Sequence, residues 1–295
     1  MIRILGTIFA ALLGLAFGSF LNACLSRWPQ GESIIHPRSH CRHCAHTLSW
    51  WENIPVLSWL ILRGRCRNCH SAISFRYPLV ELAVAVLWTW TIWSSSLWPF
   101  GTEQTTIAVD LEILRIVASM IFYWLMIALT MLDAENLWLP NFLTLPGIAL
   151  GFGAFFIPEV LQRFSGGFDA QSPGLFQSTI DRLLAILAAA ALILITRWLY
   201  KLIRHREGVG LGDAKLMALL AAWLGLPGAL LSFALATIIG AAAALLLLAV
   251  PSARTNPQSW ATSKLPLGTF LCVGGIVSSL WGQQIIAAYL RWAGF

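Results

Sequence analysis

Charge is what this sequence has least of. Asp, Glu, Lys and Arg make up 11% of its 295 residues, against about 25% in an ordinary soluble domain. So little charge excludes a disordered chain and a coiled coil. The collagen period is absent, and six cysteines are too few for a secreted disulfide scaffold. With 58% hydrophobic residues gathered in long runs, the class that remains is an integral membrane protein. Fifteen Trp agree, because indole rings favour the membrane–water interface. A formal charge of +6 might suggest nucleic acid, but the basic residues cluster in loops beside apolar runs, as membrane topology requires. No nucleic-acid partner is expected; membrane lipids are.

A helix needs roughly 20 apolar residues to cross the hydrocarbon core. Such runs lie near 4–25, 78–98, 111–132, 139–161, 180–200, 214–226, 229–250 and 266–290. The expected fold is therefore all-α, a polytopic membrane helical bundle of about eight transmembrane helices. The division at Leu226-Pro227-Gly228 is the weakest, since 214–250 also reads as one long kinked segment. The tract after the first run carries Arg27, Arg38, Arg42, Arg63, Arg65, Arg67 and Arg76. Lys201, Arg204, Arg206 and Lys215, then Arg254 and Lys264, fall on the same side, whereas 99–110 has no Lys or Arg and 162–179 only Arg163. The positive-inside rule then puts 26–77, 133–138, 201–213 and 251–265 in the cytosol and the N-terminus outside. Met1–Phe17 is apolar enough for a signal peptide and Leu21-Asn22-Ala23-Cys24 loosely fits a lipoprotein site, but Arg27 and the basic tract beyond favour an uncleaved first helix.

One segment, 26–77, stands outside the apolar runs and is too short to hold itself together by a core. It contains Cys41-x2-Cys44 and Cys66-x2-Cys69. Two such knuckles bring four thiolates into a tetrahedron around zinc, with no open position for catalysis, so the metal is expected to be structural. Arg42, Arg63, Arg65 and Arg67 lie beside them and offset the negative charge of the thiolates. Cys66-Arg67-Asn68-Cys69-His70 also matches a haem-attachment pattern, but the first pair lacks the following His and a cytosolic location disfavours both haem and disulfides. His40, His43, His46 and His70 are alternative ligands, expected to be solvated instead. Cys24 and Cys272 fall in apolar runs and read as buried small hydrophobes. The sequence shows no internal repeat and no low-complexity linker.

The chain has five Asp. Asp110, Asp169 and Asp181 fall at the outer face, whereas Asp133 ends the third run and Asp213 begins the sixth, both at the cytosolic face. Ionisable groups at a span edge are functional candidates. Two carboxylates in contact share a proton, one acting as base on water while the other protonates the leaving group. Asp213 follows Gly208-x-Gly210-x-Gly212; Gly210 and Gly212 would allow an extended substrate backbone to approach closely. Alone, Asp213 would read as a helix N-cap and the glycines as a dinucleotide loop, although no strand precedes them. Asp133 alone, near Pro140-Asn141, would read as an acid facing water. Their joint position favours a catalytic pair.

These residues resemble the type IV prepilin peptidase family, the prepilin leader peptidase/N-methyltransferases. The likeness runs through Gly18-Ser19-Phe20-Leu21-Asn22, Arg27-Trp28-Pro29, the four cysteines, Asn53-Ile54-Pro55, Arg63-Gly64-Arg65-Cys66 and Arg76-Tyr77-Pro78 with Glu81. It is most specific at Asp133 with Leu139-Pro140 and at Gly210-Leu211-Gly212-Asp213-Ala214-Lys215-Leu216. The resemblance implies a GxGD-type aspartic endopeptidase of the bacterial inner membrane with Asp133 and Asp213 catalytic. Its substrates would be type IV prepilins or type II secretion pseudopilins, cut after a Gly at the cytosolic face. It further implies N-methylation of the new N-terminus from S-adenosylmethionine, an activity that marks members with the four-cysteine insertion. The basic leader would pair with Glu52, Glu81 or Glu135. The expected domains are a first helix at 1–25, a zinc module associated with methylation at 26–77 and a peptidase bundle at 78–295. Asn141 stands where many members carry Asp, and Leu265-Pro266-Leu267-Gly268-Thr269-Phe270 only approximates the family's Pro-Phe-Gly-Pro, a departure expected to touch packing rather than chemistry.

Two other classes fit parts of the pattern. A proton-coupled transporter uses intramembrane Asp and glycine-broken helices, but no paired hydropathy repeat is present. A non-catalytic assembly factor would need its cysteines and tolerate loss of Asp133 and Asp213. A GxGD protease acting on other helices is closer, but would not call for the cysteine module.

Overall fold

The computed structural model describes residues 2–97, 106–164, 174–204, 210–249 and 266–294. Asp169, Arg206, Glu207, Gly208, Val209, Arg254, Lys264 and Leu265 lie outside these residues. Eight α-helices follow one another: α1 (Ile2–Arg27), α2 (Leu57–Ile61), α3 (Arg76–Ser94), α4 (Thr106–Asn136), α5 (Asn141–Phe164), α6 (Leu175–Arg204), α7 (Leu211–Ala249) and α8 (Leu267–Ala293). Six of them, α1 and α4 to α8, are long and apolar enough to cross a membrane. The chain is thus the all-helical, multi-pass membrane protein that its composition calls for.

The apolar stretches 214–226 and 229–250 are two helical segments of α7 that meet at a kink. Gly225 adopts φ 71°, ψ 177°, a conformation that only glycine takes without strain, and Pro227 cannot donate a backbone hydrogen bond. The non-helical Gly225 interrupts the i→i−4 bonds that span it, from residues 226–228 back to 222–224. Beside the kink, Arg182 of α6 donates to the Ala221 carbonyl, Nη1 to O 3.4 Å, with its guanidinium 4.0 Å from the Phe155 ring centroid. Each of the eight apolar runs thus corresponds to a helical segment among the described residues, two of them joined at this kink within α7.

The described chain divides into two compact units, residues 1–128 and 129–295. In the first, α1 and α3 run antiparallel with backbones in contact. A Cβ on Gly14 would lie 2.6 Å from Ala85 Cα, and one on Gly18 2.6 Å from Glu81 Cα. Positions four apart share a helix face, so two glycines meet two facing residues in the small-residue packing that membrane helices use. Phe17 packs on Trp88 with centroids 5.0 Å apart, and Arg3 donates to the Trp93 carbonyl at 2.6 Å. Gly18→Ala should push α1 off α3 backbone and cost about 1–3 kcal/mol by overpacking, read as a lower unfolding temperature in detergent; an unchanged temperature would contradict this tight crossing.

The base of the insertion is tied to this helix pair by a buried acid. Glu81 Oε2 accepts the Val56 N–H at 2.7 Å. Asn22 Nδ2 donates to the Tyr77 carbonyl at 2.8 Å and lies 3.5 Å from Glu81 Oε1. Val56 sits at φ 61°, costly for a β-branched residue, and the bond to Glu81 helps to hold it there.

In the second unit, α7 is the central rod. Trp223 Nε1 donates to the Gly147 carbonyl of α5 at 2.9 Å, and a Cβ on Gly151 would fall 2.4 Å from the same indole. On the α8 side, Ser278 and Ser232 both donate to the Gly228 carbonyl, at 3.0 and 2.7 Å. This carbonyl lies just beyond the break, where membrane burial requires every polar group to find a partner.

Candidate active site and metal centre

Asp133 lies in the last turn of α4 and Asp213 in the first turn of α7, and both are buried. Each carboxylate meets the N-terminus of a helix, where backbone N–H groups lack intrahelical partners. Asp213 is the third residue of α7 and reaches back to Gly210, whose N–H donates to Oδ2 at 3.1 Å. It is therefore not the forward N-cap that a lone Asp there suggests. Asp133 Oδ2 accepts the Thr269 N–H of α8 at 2.6 Å and lies 3.1 Å from the Thr269 hydroxyl. That hydroxyl is also 3.3 Å from the Thr130 carbonyl. Within the described residues, the donors all fall on Oδ2 of each acid.

The two acids are close enough for the charge on Asp133 to act on Asp213. Cys272, fully buried on α8, feels both of them. Leu139 wedges beside the pair: its Cδ1 is 3.1 Å from where a Cβ would stand on Gly212 and 3.1 Å from the same point on Gly268. Gly212 is thus small because Leu139 packs on it, a reason independent of any substrate. A Cβ on Gly210 would meet Asp213 Oδ2 at an ordinary 3.4 Å. Lys215 donates to Asn141 Oδ1 at 2.6 Å on the exposed side. Asp110 and Asp181 are exposed and remain apart from this cluster. The arrangement can hold a proton between two carboxylates and activate water.

Reading the sequence missed Gly268 and Thr269. A Cβ on Gly268 would sit 2.8 Å from Asp133 Oδ2 and 2.9 Å from its Cγ. The available signal was the Leu265–Phe270 departure, which bears on the carboxylate itself and not on packing alone.

In the first unit, the Sγ atoms of Cys41, Cys44, Cys66 and Cys69 all lie within 4.8 Å of one another. Cys41–Cys69 and Cys44–Cys66 are each 3.9 Å apart, far beyond a disulfide bond of about 2.05 Å. Tetrahedral zinc with Zn–S near 2.3 Å places its sulfurs about 3.8 Å apart, so the cluster fits such an ion. The two knuckles are copies of one backbone design. Cys41 N–H bonds the His46 carbonyl as Cys66 N–H bonds that of Ser71, and Ala45 N–H returns to Cys41 as His70 N–H returns to Cys66. Ala45 and His70 both take φ 56°. A short local repeat is thus present that side-chain identity beyond the cysteines does not reveal.

Electrostatics suit metal capture. Burial works against a Cys41 thiolate, but backbone N–H groups of Cys44 and His43 outweigh it and bring the thiol down to about 6. Ser71 draws Cys69 down as well, its hydroxyl 3.1 Å from Sγ. Amides of Cys69 and Asn68 favour the Cys66 thiolate too, yet burial and the neighbouring sulfurs prevail and hold it up at about 11. His40 and His46 are engaged elsewhere: His40 Nδ1 is 3.0 Å from the Arg38 carbonyl, and His46 Nε2 3.5 Å from Glu52 Oε2. The Ser49 N–H, donating to Glu52 Oε2 at 2.8 Å, keeps that acid below the usual carboxylate range. Arg67 stacks over Trp51, 4.8 Å from the ring centroid, and Arg42 donates to the Ser26 carbonyl.

Two family models match the chain. One described as "Bacterial Peptidase A24 N-terminal domain" covers residues 12–95, and one described as "Type IV leader peptidase family" covers residues 120–245. Among relatives, the prepilin leader peptidase/N-methyltransferases of Stutzerimonas stutzeri and Pseudomonas aeruginosa are each 32% identical, over 96% of this chain and 93% of theirs. That of Myxococcus xanthus is 34% identical over 88% of this chain and 68% of its own. No solved structure matches.

Proposed function

The chain belongs to the type IV leader peptidase family, and from that premise we propose that Asp133 and Asp213 are the carboxylates with which it cuts its substrates. It is a membrane endopeptidase that removes the leader from prepilins and N-methylates the product. The observation that supports the pair is their common design: two buried acids, each with Oδ2 bound by a backbone N–H at a helix start. Oδ1 of each is then the oxygen that carries the shared proton.

In this reading one carboxylate takes a proton from water as the water oxygen bonds to the scissile carbonyl carbon. The other gives its proton to the carbonyl oxygen. Collapse of the tetrahedral intermediate breaks the C–N bond: the first carboxylate passes its proton to the departing nitrogen, and the second takes one back from a hydroxyl of the intermediate, leaving the new carboxylic acid and the starting protonation state. Substrates are prepilins or pseudopilins cut after Gly at the cytosolic edge of the bacterial inner membrane. Gly210 and Gly212 form the loop along which the extended backbone lies. Of the three acids considered for the basic leader, Glu52 and Glu81 are buried, while Glu135 is exposed two residues beyond Asp133. Cys41, Cys44, Cys66 and Cys69 hold zinc, whose contribution is to close the 26–77 module as a structural staple. S-adenosylmethionine supplies the methyl group as a second substrate.

Membranes containing the protein, incubated with a prepilin and S-adenosylmethionine, should yield a product beginning just after Gly and one methyl heavier by mass spectrometry. A prepilin with a bulky residue for that Gly should stay intact. Failure to cut any of several prepilins would favour the transporter or assembly reading. Gly268→Ala gives a separate prediction. Its methyl group would displace the Asp133 carboxylate, and a misplacement near 1 Å costs about 100-fold in rate. Cleavage should fall by that factor while methyl transfer to an already cleaved pilin persists; undiminished cleavage would refute the close contact.

A further inference from the structure

Thr269 has no assigned role, yet it makes the densest polar contact with either acid. It is the third residue of α8, which starts at Leu267 after Pro266, so its N–H is one of the donors that a helix start leaves unsatisfied. That N–H meets Asp133 Oδ2 at 2.6 Å. Its side chain adds a hydroxyl placed between two acceptors, Asp133 Oδ2 at 3.1 Å and the Thr130 carbonyl at 3.3 Å. One hydroxyl hydrogen serves one acceptor at a time. It can strengthen the hold on an ionised Asp133 and turn to Thr130 once that charge is gone. Gly268, immediately before, lets the carboxylate approach this closely.

Resting on the reading of Asp133 as a catalytic carboxylate, we propose that Thr269 is its positioning residue, committing Oδ2 to α8 and leaving Oδ1 to meet the water. Among the described residues Asp213 has a single donor on its Oδ2, the Gly210 N–H, and there the two acids are held unequally. Asp133 is the fixed member, oriented from two directions, and Asp213 the less constrained one.

A plain capping role for Asp133 would stabilise α8 without affecting turnover, and three substitutions separate the two cases. Thr269→Val keeps shape and N–H but loses the hydroxyl. Thr269→Ser keeps both donors. Thr269→Pro loses both, and proline is tolerated in the first turn of a helix. Purified full-length protein would be assayed for prepilin cleavage and for methyl transfer to an already cleaved pilin. Valine should lower kcat about tenfold with KM within about twofold, and proline should lower kcat about 100-fold. Serine should restore the rate to within about threefold, with methyl transfer held in all three. The proposal is overturned if valine and proline cleave as the unmodified protein does, if the loss falls on KM, or if cleavage and methylation fall together. Asp133→Asn runs beside them: full cleavage by that variant would overturn the carboxylate reading instead.

Discussion

Asp133→Asn and Asp213→Asn are each expected to slow prepilin cleavage by about 10,000-fold, and the double substitution to be no worse than either alone. Asn is nearly isosteric with Asp, and its amide oxygen can still accept the Thr269 or Gly210 N–H. What it removes is the capacity to carry a proton, which the pair must pass from water to the leaving nitrogen. Residues that act as one unit lose their effects non-additively, so the flat double mutant is the more discriminating result. Initial rates in detergent measure it, with methyl transfer to an already cleaved pilin reporting an intact fold. Independent losses that multiply would mean that the two acids do not share a step.

Removing the metal should produce the other large effect. The insertion has little core of its own, and structural zinc contributes on the order of 10–16 kcal/mol in small domains. Cys66 is the most buried of the four cysteines, 3% exposed, so with zinc bound Cys66→Ser would leave a gap in the tetrahedron that solvent cannot easily repair. We expect the variant, or chelated protein, to be cut by a soluble protease within 40–74 and to lose methyl transfer at least tenfold. Both acids and their donors lie in residues 129–295, so cleavage should stay within about threefold. Metal content by elemental analysis and limited proteolysis check this. A chelated protein that still methylates and resists the protease would remove the module from that activity.

The sequence reveals features carried by short range and by strong chemical preference. Apolar runs locate the long helices because a bilayer tolerates nothing else at that length, and Cys-x2-Cys pairs suffice to anticipate a four-sulfur cluster. Asp133 and Asp213 stand out because acids are rare at span edges. What stayed hidden depends on partners distant along the chain. Asp133 and Thr269 are 136 residues apart, and nothing local to either announces the other. Leu139 packs beside Gly212, a contact across 73 residues that neither local sequence announces. The α7 break shows an intermediate case. Pro227 and its flanking glycines mark the place, but that the chain kinks at Gly225, with Arg182 of α6 donating to the Ala221 carbonyl beside it, depends on a partner 39 residues away.

The central claim is that two carboxylates together hold the water that attacks the scissile bond. A prepilin-derived peptide with a hydroxyethylene group in place of that bond presents a hydroxyl where the attacking water would sit. Its affinity for the purified protein should exceed that of a reduced-amide peptide lacking the hydroxyl by about 100-fold, and that advantage should vanish in both Asp133→Asn and Asp213→Asn. Equal affinity of the two peptides for the unmodified protein, or an advantage that survives in either Asn variant, would contradict the shared-water mechanism.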